Sequence, residues 1–160
     1  MMILGIDPGL SGAIAIYENG KVQETFVMPV IKVTKTKREI DLVSLVSILK
    51  TVSTDSHAFL EKVHAMPGQG VSTMFKMGRT YGMIEAILAT LAIPYTLVAP
   101  RAWTKEMHQG VIGDKPKAKS LMACKRLFPS VNLLATDRSR VAHDGIVDAV
   151  LIASYGSKRV

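Results

Sequence analysis

Two turn signals cut the first 28 residues into three extended apolar runs. Residues 2–7 end at Asp7-Pro8-Gly9, residues 12–17 follow, and Asn19-Gly20 separates these from residues 22–28. Asn-Gly is the strongest short hairpin signal, because both residues tolerate positive φ. A chain that opens this way commits its N-terminal end to three antiparallel strands. After that the hydrophobic period changes. Ile40, Val43, Val46 and Leu49, with Leu42 and Leu45 beside them, predict a helix over residues 39–52. Residues 58–63 and 94–99 read as strands. Pro100 starts a turn or short helix through Trp103, and further helices are expected at about 118–128 and 143–155. The chain is α/β with a mixed sheet of five strands flanked by helices. Its 160 residues make one domain, 1–160, with no repeat or linker.

The longest helical pattern, residues 72–91, has two rows. Met74, Met77, Tyr81, Ile84, Leu88 and Leu91 form one; Phe75, Gly78, Gly82, Ala86 and Ala89 form the other. The first can cover a sheet, and the small second row lets another backbone approach closely. A fully internal helix is the alternative. Lys76 and Arg79 lie away from the Met row, as solvated charges or as groups facing a ligand.

The acids carry the chemical signal. Asp7 closes the apolar run Ile3-Leu4-Gly5-Ile6, and Glu61 interrupts the run Ala58-Phe59-Leu60. Asp144 and Asp148 stand four apart on an otherwise apolar helix, on one face, with Cβ atoms ~5–6 Å apart. A charge in an apolar strand is costly unless compensated. A bound divalent cation relieves that cost and the repulsion of the helical pair. Mg²⁺ takes carboxylates, waters and substrate phosphate as ligands. Read separately, each acid has an ordinary explanation. Asp7 would cap a turn, Glu61 would pair with a lysine, and Asp144 would offset the helix dipole. Taken together, the four favour a metal site.

Net charge is +7, from 20 Lys plus Arg against 13 Asp plus Glu. With four acids withdrawn into a metal site, nine face 20 cations and leave a surface near +11. Such a surface suits a polyanion. The phosphate-contact candidates lie in two loops, Lys32, Lys35, Lys37 and Arg38 in the first and Lys115, Lys117 and Lys119 in the second. Contacts of this kind position a nucleic acid without reading its sequence. A third loop spans residues 66–70. One cysteine, Cys124, excludes a disulfide framework, and His57, His64, His108 and His143 lack zinc spacing. There is no membrane-length apolar run, no signal-peptide pattern, no Gly-x-Ser-x-Gly elbow and no P-loop. A soluble cytoplasmic protein without a nucleotide cofactor is expected.

Three blocks resemble the RuvC-type Holliday junction resolvases of the ribonuclease H-like fold. They are Ile3-Leu4-Gly5-Ile6-Asp7-Pro8-Gly9, Phe59-Leu60-Glu61-Lys62-Val63 and His143-Asp144-Gly145-Ile146-Val147-Asp148-Ala149. Gln69-Gly70, Gly78, Tyr81-Gly82 and Pro100 with Trp103 resemble the viral and phage branch. The resemblance implies an endonuclease with two Mg²⁺ ions, which Mn²⁺ can replace, held by Asp7, Glu61, Asp144 and Asp148. It implies a homodimer acting on four-way DNA junctions by paired nicks, leaving 5′-phosphate and 3′-hydroxyl ends. Phe75, Gly78, Gly82 and Ala86 on the long helix would form the dimer interface. Lys119, opening a helix, matches a family lysine near the scissile phosphate, with Lys117 an equal candidate. His64 stands where bacterial relatives carry a base-stacking aromatic, and the terminal acids are four apart where those relatives have three. His143 is open between ligand or water orientation, helix capping and simple exposure. Three other readings remain: a broader branched-DNA nuclease acting on flaps and forks, a catalytically silent junction binder, and an actin-like or sugar-kinase ATPase. The last rests on Asp-Pro-Gly-Leu-Ser-Gly and needs two lobes.

Overall fold

The computed structural model describes residues 1–52, 54–65 and 67–160. Met66, read above as part of a loop, lies outside them. In chain order the elements are β1 (Met2–Asp7), β2 (Ala13–Glu18), β3 (Lys21–Val27), β4 (Val30–Lys32), β5 (Arg38–Ile40) and α1 (Leu42–Lys50). There follow β6 (Ser56–Glu61), α2 (Val71–Thr90), β7 (Tyr95–Val98), α3 (Pro100–Met107), α4 (Pro116–Leu127) and α5 (Asp144–Gly156). A five-stranded sheet runs in the order β3-β2-β1-β6-β7. The first three strands are antiparallel neighbours, and β6 and β7 join parallel. Asn19 turns between β2 and β3 at φ 51°. This is the mixed sheet expected from the sequence.

Side chains alternate across a strand, and β1 is buried on both faces as the central strand of the sheet. Leu4 and Ile6 pack with Leu45 and Leu49 of α1 and Ile84 and Leu88 of α2. Burying each such side chain fully is worth about 1.5–3 kcal/mol. Ile3 faces the other way, toward Ile146, Val150 and Ala153 of α5. Between Ile3 and Asp7 on that face lies Gly5. A Cβ there would sit 2.0 Å from the Ala149 carbonyl oxygen, so only glycine lets α5 lie directly on β1. Asp7, two further on, points to the α5 side.

The structure corrects three local readings. Residues 32–38 are not a plain loop, because Lys32 and Arg38 pair across the β4–β5 hairpin with Lys35 and Lys37 at its tip. The predicted helix over 39–52 begins only at Leu42. Glu39 and Ile40 belong to β5, and the Asp41 side chain caps the helix by accepting the Ser44 N–H at 3.1 Å. An aspartate N-cap holds extended φ/ψ and so bars helix before it. Leu45 and Leu49 are the buried stripe, whereas Val43 is 78% exposed. Finally, Lys117 and Lys119 are not loop residues, and Lys119 does not open its helix. Helix α4 starts at Pro116, the favoured first-turn position for proline, and Lys119 lies on its first turn. Among the described residues no helix is long and apolar enough to cross a membrane.

Candidate active site

Asp7 and Glu61 are the last residues of neighbouring parallel strands. The register pairs Ile6 with Leu60, so the two carboxylates come next, side by side on the α5 face. Asp144 is the first residue of α5, and Asp148 follows one turn later on the same face. The start of α5 is pressed against the loop after β1. A Cβ on Gly145 would fall 2.5 Å from the Ser11 carbonyl oxygen. Sheet register and close helix packing thus gather four acids beyond the carboxyl ends of β1 and β6, the usual ligand position in α/β sheets.

The acids act on one another. Burial, followed by the charges of Glu61 and Asp148, pushes the Asp7 carboxyl up to about 8, while Lys117 pulls it the other way. Burial and then Glu61 raise Asp148 to about 7, opposed by a hydrogen bond from Ser120. Burial also raises Glu61, and the Trp103 indole N–H opposes it by donating to Glu61 Oε1 at 2.8 Å. The Lys117 ammonium lies against Asp144 Oδ2 at 2.5 Å. That bond, with attraction from Asp148 and Asp7, holds the lysine above its usual range. Lys117 is thus the cation that offsets part of the negative charge around Asp7 and Asp148.

The donor set suits a hard divalent ion: carboxylate oxygens only, close enough that Glu61, after burial, raises the proton affinity of both Asp7 and Asp148. Among the described residues, no three carboxylate, imidazole or thiol groups converge tightly enough to enclose an ion.

Of the other residues singled out in the sequence, His143 is the N-cap of α5, its Nδ1 accepting the Ile146 N–H at 3.3 Å. Lys115 is the backbone N-cap of α4 and is exposed, as is Lys117. Lys119 is half-buried, near enough to His108 to lower its pKa after burial does so. His64 is exposed in the segment after β6. Lys32, Lys35, Lys37 and Arg38 are exposed on the hairpin, where Lys37 and Arg79 both bind Glu39, at 2.8 and 3.1 Å. Phe75, Gly78, Gly82 and Ala86 are all exposed along α2, and no atom lies within 4 Å of a Cβ added at either glycine.

Three further residues escaped the sequence reading. Trp103 is 2% exposed and packs in the core, and its indole also fixes Glu61. Ser120 bonds Asp148 on one side and His108 Nε2 on the other, at 3.0 Å. His108 in turn meets the Trp103 ring edge-on, with centroids 6.1 Å apart. Helices α3 and α4 therefore act as a buttress for two of the acids. Pro100 and Pro116, first-turn prolines, were the available signals for both helices.

No family model matches the sequence, and no curated protein sequence matches it. Solved structures do match. Thermus thermophilus RuvC in complex with Holliday junction substrate superposes with a TM-score of 0.65 at 12% identity, covering 99% of this chain and 96% of that one. A second Thermus thermophilus RuvC structure gives 0.60 at 13% identity with the same coverage. Along nearly its whole length this chain has the ribonuclease H-like fold of RuvC.

Proposed function

We propose that the protein is a divalent-metal-dependent, structure-selective DNA endonuclease that resolves four-way junctions. The observation that carries this reading is the adjacency of Asp7 and Glu61 at parallel strand ends, facing an acid pair on α5, with burial and then the Glu61 charge raising the proton affinity of Asp7 and Asp148. Asp7, Glu61, Asp144 and Asp148 would hold two Mg²⁺ ions, with Mn²⁺ able to substitute. When bound, such ions supply positive charge to the scissile phosphodiester and lower the pKa of attacking water.

The chain's own residues do the rest. Trp103 and Ser120 orient Glu61 and Asp148. Lys117 shares the negative field of the acids and is close enough to meet a phosphate there. Lys119, on the same helix, is a second phosphate contact. His143 holds the first turn of α5, and with it Asp144, in place. The products are a 5′-phosphate and a 3′-hydroxyl. The domain spans residues 1–160 and works in the cytoplasm as a homodimer through Phe75, Gly78, Gly82 and Ala86, because paired symmetric nicks need two sites related by a two-fold. The exposed row Phe75, Gly78, Gly82 and Ala86, open around both glycines and distinct from the buried Ile84 and Leu88, supports that pairing.

The deciding experiment is a panel of labelled four-way junction, fork, flap and linear duplex, incubated with Mg²⁺ or with EDTA. Paired nicks on the junction, absent in EDTA and absent with Asp7→Asn, are expected. Cleavage by Asp7→Asn equal to that of the parent would remove Asp7 from the chemistry. Equal cleavage of flap and junction would make this a general branched-DNA nuclease.

A further inference from the structure

Helix α2 carries Lys76 and Arg79 on a side of their own, between its buried row at Ile84 and Leu88 and its exposed row at Phe75, Gly78 and Gly82. That side looks onto the β4–β5 hairpin. Lys37, Arg38 and Glu39 of the hairpin, Lys76 and Arg79 of α2, and Leu10 beneath them line a narrow cleft of about 70 Å³. A wider hollow of about 310 Å³ adjoins it, lined by Pro8 and Gly9 just after Asp7 and by Val63, two residues after Glu61. Leu10, Lys76 and Thr80 line both. The two therefore adjoin as one surface channel along α2, running from the loop after Asp7 to the hairpin.

The charge at the hairpin end of this channel is one-sided, whereas the wider hollow is mostly apolar, from Pro8, Leu10, Val63, Met77 and Tyr81, with Lys76 its one charge. Four cations surround a single acid, Glu39. That acid binds Lys37 at 2.8 Å and Arg79 at 3.1 Å, so it ties the hairpin to α2. The two cations keep 47% and 48% of their side chains exposed, free to meet a further anion. Arg38 and Lys76 are exposed as well. A small apolar ligand has no use for four charges. A chain of phosphates running out from a cleavage centre does, because each phosphate neutralised releases condensed counterions and adds affinity.

Resting on the endonuclease reading, we propose that this channel is the track for the sugar-phosphate backbone of one DNA arm leaving the cleavage site. Arg38 and Lys76 contact phosphates, and Glu39 braces Lys37 and Arg79 in line with them. Lys76 and Arg79 thereby join the binding surface, and the hairpin becomes a clamp on the arm.

The test uses full-length protein carrying Asp7→Asn, so that binding is read without cleavage. Anisotropy titrations with a labelled four-way junction in EDTA are repeated over a salt series. Arg38→Ala/Lys76→Ala should weaken binding about tenfold or more at moderate salt and flatten the log–log salt slope by about 2, near 0.9 per lost phosphate contact. Lys21→Ala/Lys50→Ala removes the same charge elsewhere, on β3 and at the end of α1, and should change the slope by less than half as much. Matching melting temperatures establish that both variants fold. Equal effects of the two double variants, or none from Arg38→Ala/Lys76→Ala, overturn the track while leaving the endonuclease reading intact. A parent protein that binds no branched DNA removes both.

Discussion

The indole N–H of Trp103 donates to Glu61 Oε1 at 2.8 Å, joining the start of α3 to the end of β6. Trp103 is the chain's single tryptophan. Its fluorescence therefore reports on the carboxylate from inside the site. Titration with Mg²⁺ should shift the emission, and Mn²⁺ should quench it. A spectrum indifferent to both ions would argue against Glu61 as a ligand. Trp103→Phe removes the donor from a half-buried acceptor, which costs about 1 kcal/mol of stability and should weaken Mn²⁺ binding in calorimetry.

Repulsion among the acids predicts a trade between stability and activity. Asp148→Asn removes one charge from a cluster in which burial and Glu61 already oppose ionisation. Melted in EDTA at pH 8, this variant should be more stable than the parent. With Mg²⁺ its junction cleavage should fall to background. Lower stability in EDTA would mean that Asp148 is held by favourable contacts that outweigh the repulsion.

The same shifts set a pH dependence. Asp7 binds its proton more tightly in the folded chain, with a pKa of about 8 against the ordinary 3.8, and Asp148 does so at about 7. The folded state therefore holds more protons than the unfolded one between about pH 4 and 8, and stability in that window falls as pH rises. Melting temperatures in EDTA should decline from pH 5 to pH 9, and saturating Mg²⁺ should remove much of the decline. A flat profile in EDTA would mean that Asp7 and Asp148 are less buried, and less close to Glu61, in solution.

Lys117 and Asp144 form an exposed pair, with side chains 78% and 57% accessible. Pairs of this kind contribute about 0–1 kcal/mol. Lys117→Ala should therefore leave stability nearly unchanged. By removing a competing cation from Asp144 it should tighten Mn²⁺ binding while slowing junction cleavage. Weaker Mn²⁺ binding would show that the lysine organises the acids instead of competing for them.

The exposed row on α2 predicts an assembly. Space around Gly82 is open in the single chain, so Gly82→Arg fits the monomer and improves a helix interior by up to about 1 kcal/mol. The parent should sediment as a dimer and the variant as a monomer of equal or higher melting temperature. Paired nicking should give way to uncoordinated single nicks. A variant that still sediments as a dimer would put the interface elsewhere.

Periodicity and turn chemistry alone determined the three antiparallel strands, the long α2 helix and the acids worth naming. These features are local: Asn19-Gly20 bends where its own backbone permits, and a carboxylate in an apolar strand is anomalous wherever the strand goes. Ile40 lies in β5 although its spacing to Val43 is helical, because Asp41 caps α1 and bars helix before it. Tertiary packing decided what local spacing cannot. The register of β1 against β6 set Asp7 beside Glu61, and the bare backbone of Gly5 and Gly145 let α5 bring Asp144 and Asp148 to them. Trp103, Ser120 and the cationic channel behind Arg79 are likewise meetings of residues far apart in the chain. A pattern one turn or one strand long carries no record of such meetings, because only the folded sheet and its covering helices define which distant groups share a face.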